Sequence, residues 1–444
     1  MTDTLDPADG DLALELDRAH VFHSWSAQGA LAPMVIAGAH GSELWDFAGN
    51  RWLDFSSQMV NTNIGHTHAK VTAAIQEQAA LLPTIAPPHA NLMRGQAARR
   101  IVELAGEPFE KVFFTNGGAD AVENAIRMAR LTTGRDKVLS TYRSYHGNTG
   151  AAVVATGDWR RVPNEFARGH VHFFGPFLYR SEFWSETVEQ ETERALHHLR
   201  RVVEAEGPAS IAAILLESVP GTAGIMVPPP GYLTGVRALA DEYGIKLIFD
   251  EVMAGFGRTG DWFAWQNPTV NPDRVRPDLI AFAKGVNSGY VPVGGVIISS
   301  EIAHAFDERV FPGGLTYSGH PLAAASIVAT LDAMRDEGIV DNASRVGHDV
   351  LGPGLAELAE KHPMIGDVRG LGVFWALDLV TDRETRAPIP ASTLGALKAA
   401  LIERGLLPFA VENRIHVVPP CVITDDEARR GLAILDEALT AVGG

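Results

Sequence analysis

Apolar and polar positions change their period several times along this chain. In GSELWDFAGNRWLDF (41–55) they alternate around Ala48-Gly49-Asn50, a turn signal, and predict a β-hairpin. Apolar positions then recur at helical spacing from Ala69 to Leu82, where Pro83 ends the run. From 95 to 300 helical and strand patterns alternate. QAARRIVELAG reads as helix, KVFFTN as strand and ADAVENAIRMARLTTG as a helix closed by Gly134. KVLSTYRSYHG reads as strand plus loop, IAAILLES as a buried strand and GYLTGVRALADEYG as helix; KLIFDE, DLIAFAK and VGGVIISS are further strands. This alternation predicts a doubly wound, mostly parallel α/β sheet. The aromatic and charged stretch 157–200 reads as a surface excursion followed by a helix, and residues 1–15 as a polar arm without regular structure.

Beyond Gly319 the pattern changes. PLAAASIVATLDAMRDEG is a long amphipathic helix, followed by VGHDVLGPGLAELAEKH, GDVRGLGVFWALDLV, a helix near 391–404, RIHVVPP and a last helix from Asp425. These predict a smaller α+β lobe that joins the N-terminal hairpin. The expected division is an arm and part of the small domain over 1–65, a large α/β domain over 66–320, and the rest of the small domain over 321–444. No internal repeat or low-complexity tract is visible.

Composition narrows the class. A chain of 444 residues with 46% hydrophobic content is long enough for a large core. Lys+Arg 37 against Asp+Glu 54 gives a net charge of −17, which argues against nucleic acid or an anionic membrane as a partner. The single cysteine, Cys421, has no internal partner and fits a reducing compartment. No apolar run approaches the roughly 20 residues of a membrane span. The start, MTDTLDPADGDLALELDRAH, lacks the basic and apolar regions of a signal peptide. A soluble, cytoplasmic protein is expected.

Candidate chemistry centres on Lys284 in DLIAFAKG and on Asp250 at the end of the strand KLIFD. A lysine amine can carry the aldehyde of pyridoxal phosphate, and a carboxylate beside the pyridine nitrogen keeps it protonated, so the ring takes up carbanion electrons. The plain alternative is a strand-terminal lysine in solvent. Asn116-Gly117-Gly118-Ala119-Asp120 joins a strand to a helix, as an anion site or an ordinary connector. Ser144-Tyr145-His146-Gly147-Asn148 follows a strand, and Tyr145 is either a platform for a flat cofactor or a core tyrosine. Thr316, in GGLTYSGHP, offers a hydroxyl to a phosphate or is a turn residue. Lysine, acid, tyrosine and glycine turn all fall at the C-terminal ends of strands in one sheet, which favours a site over independent accidents. No His or Cys cluster follows Asp250-Glu251 at ligand spacing, so no metal is expected. His66 and His68 read as solvated loop residues. Gly255-Phe256-Gly257-Arg258-Thr259-Gly260 matches a dinucleotide fingerprint literally, but DEVMA separates it from its strand and no helix follows, so it reads as a structural loop.

Taken together, these residues resemble the class III aminotransferases, the ω-aminotransferase group of fold-type-I pyridoxal phosphate enzymes. The resemblance runs from about Trp25 to the last helix and is most specific in LIFDEVMAGFGRTG, in PDLIAFAKG with GYVPVGG, and in LTYSGHPLAAA. It implies a large α/β domain plus a small domain built from both termini. It implies Lys284 as the Schiff-base lysine, Asp250 as the pyridinium partner, and Val252 and Tyr145 on the two ring faces. Gly117, Gly118 and Ala119 would hold the phosphate together with Thr316 of a neighbouring subunit, in a homodimer with shared active sites. His146 and Glu217 complete the expected cofactor contacts. Trp25, Met59 and Val60 match positions that shape the small pocket, and Arg414, with His416 beside it, is the nearest candidate for binding a substrate carboxylate. The chain departs from the family where Gly117-Gly118-Ala119 replaces a common Ser-Gly-Ser, and where Thr222 stands in place of the second glutamate of ornithine- and γ-aminobutyrate-type members. The implied reaction moves an amino group from an ω-amino acid, a taurine-like amine or a simple primary amine to a 2-oxo acid, pyruvate or 2-oxoglutarate, by a ping-pong course. An aminomutase, racemase or decarboxylase on the same fold is the alternative. A non-catalytic binding module is disfavoured because Lys284 and Asp250 are both present.

Overall fold

The hairpin forms where the alternation predicts it. In the computed structural model, which describes residues 6–443, β1 (Ile36–His40), β2 (Glu43–Asp46) and β3 (Arg51–Asp54) pair antiparallel. The Asp46 carboxylate closes the turn by accepting from the amides of Ala48 at 3.0 Å and Asn50 at 2.8 Å. Leu44 and Leu53 are buried, whereas Arg51 is exposed.

The central sheet contains β4 (Phe109–Thr115), β5 (Lys137–Thr141), β6 (His170–Phe173), β7 (Ile211–Glu217), β8 (Lys246–Asp250), β9 (Leu279–Phe282) and β10 (Gly294–Ser299). Their order is β4-β10-β9-β8-β7-β5-β6. β10 runs antiparallel to both neighbours, and the other pairings are parallel. Every residue of β7 is buried, as a strand covered by helices on both faces requires. The chain order reverses between β5 and β7, which opens a crevice beyond their carboxyl ends, where open α/β sheets bind ligands. The helix Gly118–Thr133 follows β4 and ends at Gly134, whose φ of 68° provides the left-handed C-cap that the sequence signalled.

The C-terminal part supplies β11 (Ile365–Leu371), β12 (Phe374–Asp382), β13 (Ala387–Pro388), β14 (Leu406–Leu407), β15 (Phe409–Val411) and β16 (Arg414–Val417). β11, β12, β16 and β15 form an antiparallel sheet, and β13 pairs with β12. β14 adds in parallel to β3, setting Leu406 opposite Leu53, so one small sheet draws on both ends of the chain. The long helices Pro321–Asp336 and Asp425–Gly443 stand where the periodicity predicts them.

Three expectations are corrected. Residues 7–20 of the supposed arm form a helix, started by the Asp6 carboxylate accepting from the Ala8 amide and by Pro7 at the first helical position. None of its residues is buried, which is why its polar composition concealed it; residues 1–5 lie outside the described residues. The excursion 157–200 contains a strand of the central sheet, β6, whose sequence HVHF is too short and too polar to stand out. His66 and His68 are not simply solvated: His66 Nε2 lies 2.9 Å from buried Asp54, and His68 Nε2 lies 3.1 Å from Glu337. Among the described residues, no helix is long and apolar enough to cross a membrane.

The GFGRTG stretch makes turns, with Gly257 and Gly260 at φ 90° and 89°. It carries Arg258, which is fully buried. The guanidinium donates to Asn63 Oδ1 at 2.6 Å, Ser57 Oγ at 3.2 Å and the Pro419 carbonyl, and thereby ties together three remote segments. Replacing it as Arg258→Met leaves these acceptors unsatisfied and should cost at least about 2 kcal/mol. Thermal and denaturant unfolding of the purified variant check this; an unchanged midpoint would mean the bonds contribute nothing net.

Candidate active site

Two neighbouring parallel strands deliver an acid and an amine to one cavity. β8 ends at Asp250, which lies opposite Ala281 of β9, and Lys284 follows two residues after β9 ends. Lys284 takes a left-handed backbone, φ 47°, a conformation that costs a non-glycine residue about 1 kcal/mol or more. The cavity they share measures about 150 Å³ and opens at the carboxyl edge of the sheet. Gly118 and Ala119 wall it at the start of the helix Gly118–Thr133, Tyr145 and His146 from the loop after β5, Glu217 at the end of β7, and Val252 just after β8.

Hydrogen bonds fix the acid. Asp250 is 3% exposed; one carboxylate oxygen lies 2.8 Å from His146 Nδ1 and the other accepts from the Val252 amide at 3.0 Å. A donating Nδ1–H leaves His146 Nε2 as the bare nitrogen, and that atom is buried without a partner. Glu217 spans the crevice between β7 and β5, accepting from the amides of Gly221 at 2.8 Å and Tyr145 at 3.0 Å. Burial raises its pKa, and His146 works against that rise. Glu251, next to Asp250 in sequence, accepts from the amides of Ala264 and Trp265 at 2.9 and 3.0 Å, and burial pushes its pKa up to about 7.

Burial likewise lowers the pKa of Lys284, with Asp250 and Glu217 opposing the shift. A lysine with a depressed pKa keeps more of its amine free, which attack on a carbonyl needs. Gly118 admits no side chain, since an added Cβ would stand 2.9 Å from Val252 Cγ1. Gly147, which the sequence reading passed over, has φ 128°, and an added Cβ there would come within 2.5 Å of Ala119. The missing side chains let the glycine turn lie close against the cavity, with the backbone amides of a helix N-terminus beside it.

The other candidates distribute unevenly. Tyr145 is half-buried and lines the cavity, so it is not a core tyrosine. Trp25 meets its ring edge-on at 6.3 Å, while 57% of Trp25 stays exposed. Met59 is exposed, and Val60 is buried in the apolar core. Thr316 is exposed. Arg414, on β16, is paired with Glu412 at 2.6 Å and packs near Gly224, and it does not line the cavity. Among the described residues no group of His, Cys, Asp and Glu is placed to hold a metal.

The family model of the class III aminotransferases matches residues 25–439. The chain belongs to the class III aminotransferases. Its cofactor is pyridoxal phosphate. A solved taurine:2-oxoglutarate aminotransferase from Bifidobacterium kashiwanohense, in complex with that cofactor and glutamate, is 42% identical, with 98% of each chain covered and a TM-score of 0.93. An (S)-enantioselective ω-transaminase from Thermomicrobium roseum is 34% identical over 99% of this chain and 100% of the other, with a TM-score of 0.92. A 5-aminovalerate aminotransferase from Pseudomonas aeruginosa is 34% identical over 421 residues, 92% of this chain and 94% of the relative. The fold is therefore that of the fold-type-I transaminases, as the sequence resemblance implied.

The donor set of this aminotransferase fits the cofactor: a buried amine, a carboxylate oriented by an imidazole, open amides at a helix start and an aromatic wall. The sequence singled out the acid and the amine but not the 2.8 Å bond that orients the acid, because His146 and Asp250 are more than 100 residues apart. Substituting His146→Ala removes a hydrogen bond to a charged carboxylate, so kcat should fall by about tenfold or more. Steady-state kinetics check this, with circular dichroism to establish that the fold is retained; an unchanged kcat would show that Asp250 needs no orientation from the ring.

Proposed function

We propose that this aminotransferase moves the amino group of an ω-amino acid or primary amine to a 2-oxo acid, pyruvate or 2-oxoglutarate, by a ping-pong course. The observation that carries the reading is the buried Lys284 amine and the Asp250 carboxylate sharing one cavity. When bound, pyridoxal phosphate supplies an aldehyde and a pyridinium ring that takes up carbanion electrons. Lys284 would hold the aldehyde of the bound cofactor, and its Nζ, once freed, would be placed to take the proton from the amine-bearing carbon and give it back. The Asp250 carboxylate, oriented by His146, would keep the ring nitrogen protonated. Val252 and Tyr145 would hold the ring between them, Glu217 would bridge the loops around it, and the amides of Gly117, Gly118 and Ala119 would bind the phosphate.

The same reading extends to assembly. A homodimer would bring Thr316 of the partner subunit to the phosphate. Thr316 and Tyr317 are exposed, and so are the large apolar side chains Leu81, Leu92 and Val310. None of Trp25, Met59, Val60 and Arg414 lines the cavity itself; Trp25, edge-on to Tyr145, is the one this reading keeps beside the donor, and the protein is cytoplasmic. The division into 1–65, 66–320 and 321–444 is part of the same proposal, supported by the pairing of β14 with β3. The donor class draws support from the names of relatives: taurine and 5-aminovalerate both carry the amine at the far end from an acid group.

Visible absorption of the purified enzyme tests this. A yellow band that bleaches with β-alanine, taurine or 1-phenylethylamine, and returns with pyruvate or 2-oxoglutarate, is the expected result. Lys284→Ala should abolish turnover with the fold intact, and Asp250→Asn should lower kcat by about two orders of magnitude. Transaminase turnover retained by the lysine variant would overturn the mechanism.

A further inference from the structure

The backbone that carries the reacting amine needs an outside brace. Lys284 has φ 47° and Ser288, further along the same turn, φ 57°. Such left-handed conformations persist in non-glycine residues only where the surroundings enforce them. Here the surroundings come from the segment 54–65. The Ile64 amide donates to Ser288 Oγ at 2.9 Å, and the Tyr290 hydroxyl donates to the Gly65 carbonyl at 3.0 Å. Gly285, directly after Lys284, has no room for a side chain, because an added Cβ would stand 2.9 Å from Asn63 Cγ and 3.1 Å from Phe256 Cβ.

Asn63 also meets the acid's side of the site. It is 1% exposed and does not line the cavity. Its Nδ2 donates to the Phe256 carbonyl at 2.7 Å and to the Gly255 carbonyl at 3.4 Å, in the loop that follows Asp250. Its Oδ1 accepts from Arg258 at 2.6 Å. One planar amide therefore stands between the turn that carries the amine and the loop that follows the acid, with both ends bonded.

The segment that delivers Asn63 is itself pinned. Ser57, Gln58 and Val60 have φ of 43°, 59° and 57°, and Val60 is β-branched, which makes the left-handed region most unfavourable. The buried Asp54 carboxylate holds this stretch. It accepts from the Ser56 amide at 3.0 Å, the Ser56 hydroxyl at 2.6 Å and Gln58 Nε2 at 3.0 Å, and lies 2.9 Å from His66 Nε2. A stretch fixed so closely transmits a push at Asn63 instead of absorbing it.

We propose that Asn63 is a positioning residue that sets the Lys284 amine against the Asp250 carboxylate, by packing on Gly285 and bonding the loop after Asp250 with the same side chain. This rests on the transaminase reading above. Asn63 touches neither substrate nor cofactor, and its effect passes through the Lys284 backbone.

The test compares wild-type holoenzyme with Gly285→Ala, Asn63→Ala and the double variant. Each is measured for kcat and KM with β-alanine and with 1-phenylethylamine, for the pH midpoint of the visible band, for cofactor affinity and for thermal unfolding. Gly285→Ala keeps every hydrogen bond of Asn63 and drives a methyl group into it. It should lower kcat about tenfold or more with both donors and leave KM within about twofold, because a misplaced amine impairs proton transfer rather than donor binding. The pH midpoint of the band should differ from that of wild type, since the ionisation of Lys284 is set by burial against the charges of Asp250 and Glu217. Removing the Asn63 side chain clears the space that the methyl group needs, so the double variant should be no slower than Asn63→Ala alone. A Gly285→Ala enzyme with wild-type kcat and band midpoint would overturn the proposal, and so would losses that simply multiply in the double variant. A lowered unfolding temperature with kcat, band midpoint and cofactor affinity unchanged would overturn it as well, leaving Asn63 a purely structural role. Wild-type enzyme that binds pyridoxal phosphate but transfers from neither donor would overturn the transaminase reading, while the band midpoint and cofactor affinity of the variants would still decide the role of Asn63.

Discussion

The fold closes on a buried guanidinium. Arg258 sits in the loop between β8 and β9, and its partners come from residues 57–63 and from the segments before β12 and after β16. Burying a cation costs several kcal/mol unless hydrogen bonds compensate. Here the compensation comes from carbonyls, an amide and a hydroxyl, all acceptors that would themselves be orphaned in a dry interior. Around it the same segments bond to each other: Ser57 Oγ donates to Val418 O at 2.6 Å, and the Cys421 amide to Asn63 O at 2.8 Å. The loop so anchored begins at Asp250 and carries Val252, so the geometry of the cavity depends on an interaction that is not part of it.

The cavity follows the same logic of exchanged hydrogen bonds. Strand β7 ends in Glu217 and β8 in Asp250, directly opposite each other in the register. Two adjacent carboxylates repel unless each is engaged by donors. Glu217 takes two backbone amides, and Asp250 takes an amide and the His146 ring. Each acid is thereby fixed by the loops at the topological switch point, so the loops and the charges define one another's positions. The amine of Lys284 adds the opposite charge nearby, in surroundings dry enough to hold its pKa down.

Much of this was legible in the sequence, for identifiable reasons. The central strands are continuous apolar runs and the long helices have clean periodicity and caps, so burial and hydrogen bonding leave a local imprint. Lys284 and Asp250 were legible because each ends an apolar strand, where a charged residue has a restricted set of uses. β6 was not, because four residues with two histidines carry no period. The helix Pro7–His20 was concealed by its lack of any buried face, although Asp6-Pro7 is a start signal. The His146–Asp250 and Asn63–Gly285 contacts were not legible, because they arise only once separate loops are brought together.

The contrast between Asp250 and Glu251 shows how little sequence distance separates the cavity lining from the surrounding architecture. Adjacent residues at a strand end point to opposite sides of the sheet. One carboxylate therefore lines the cavity, while the other turns away and receives two amides of the Phe263–Gln266 turn. A shift of one residue in the register of β8 would exchange them, presenting the cavity with a side chain one methylene longer and stripping that turn of its acceptor. The register is fixed by pairing on both sides, with β7 and β9. The identity of the acid that lines the cavity is thus decided by sheet packing several residues upstream, and the geometry of the site inherits its precision from the core.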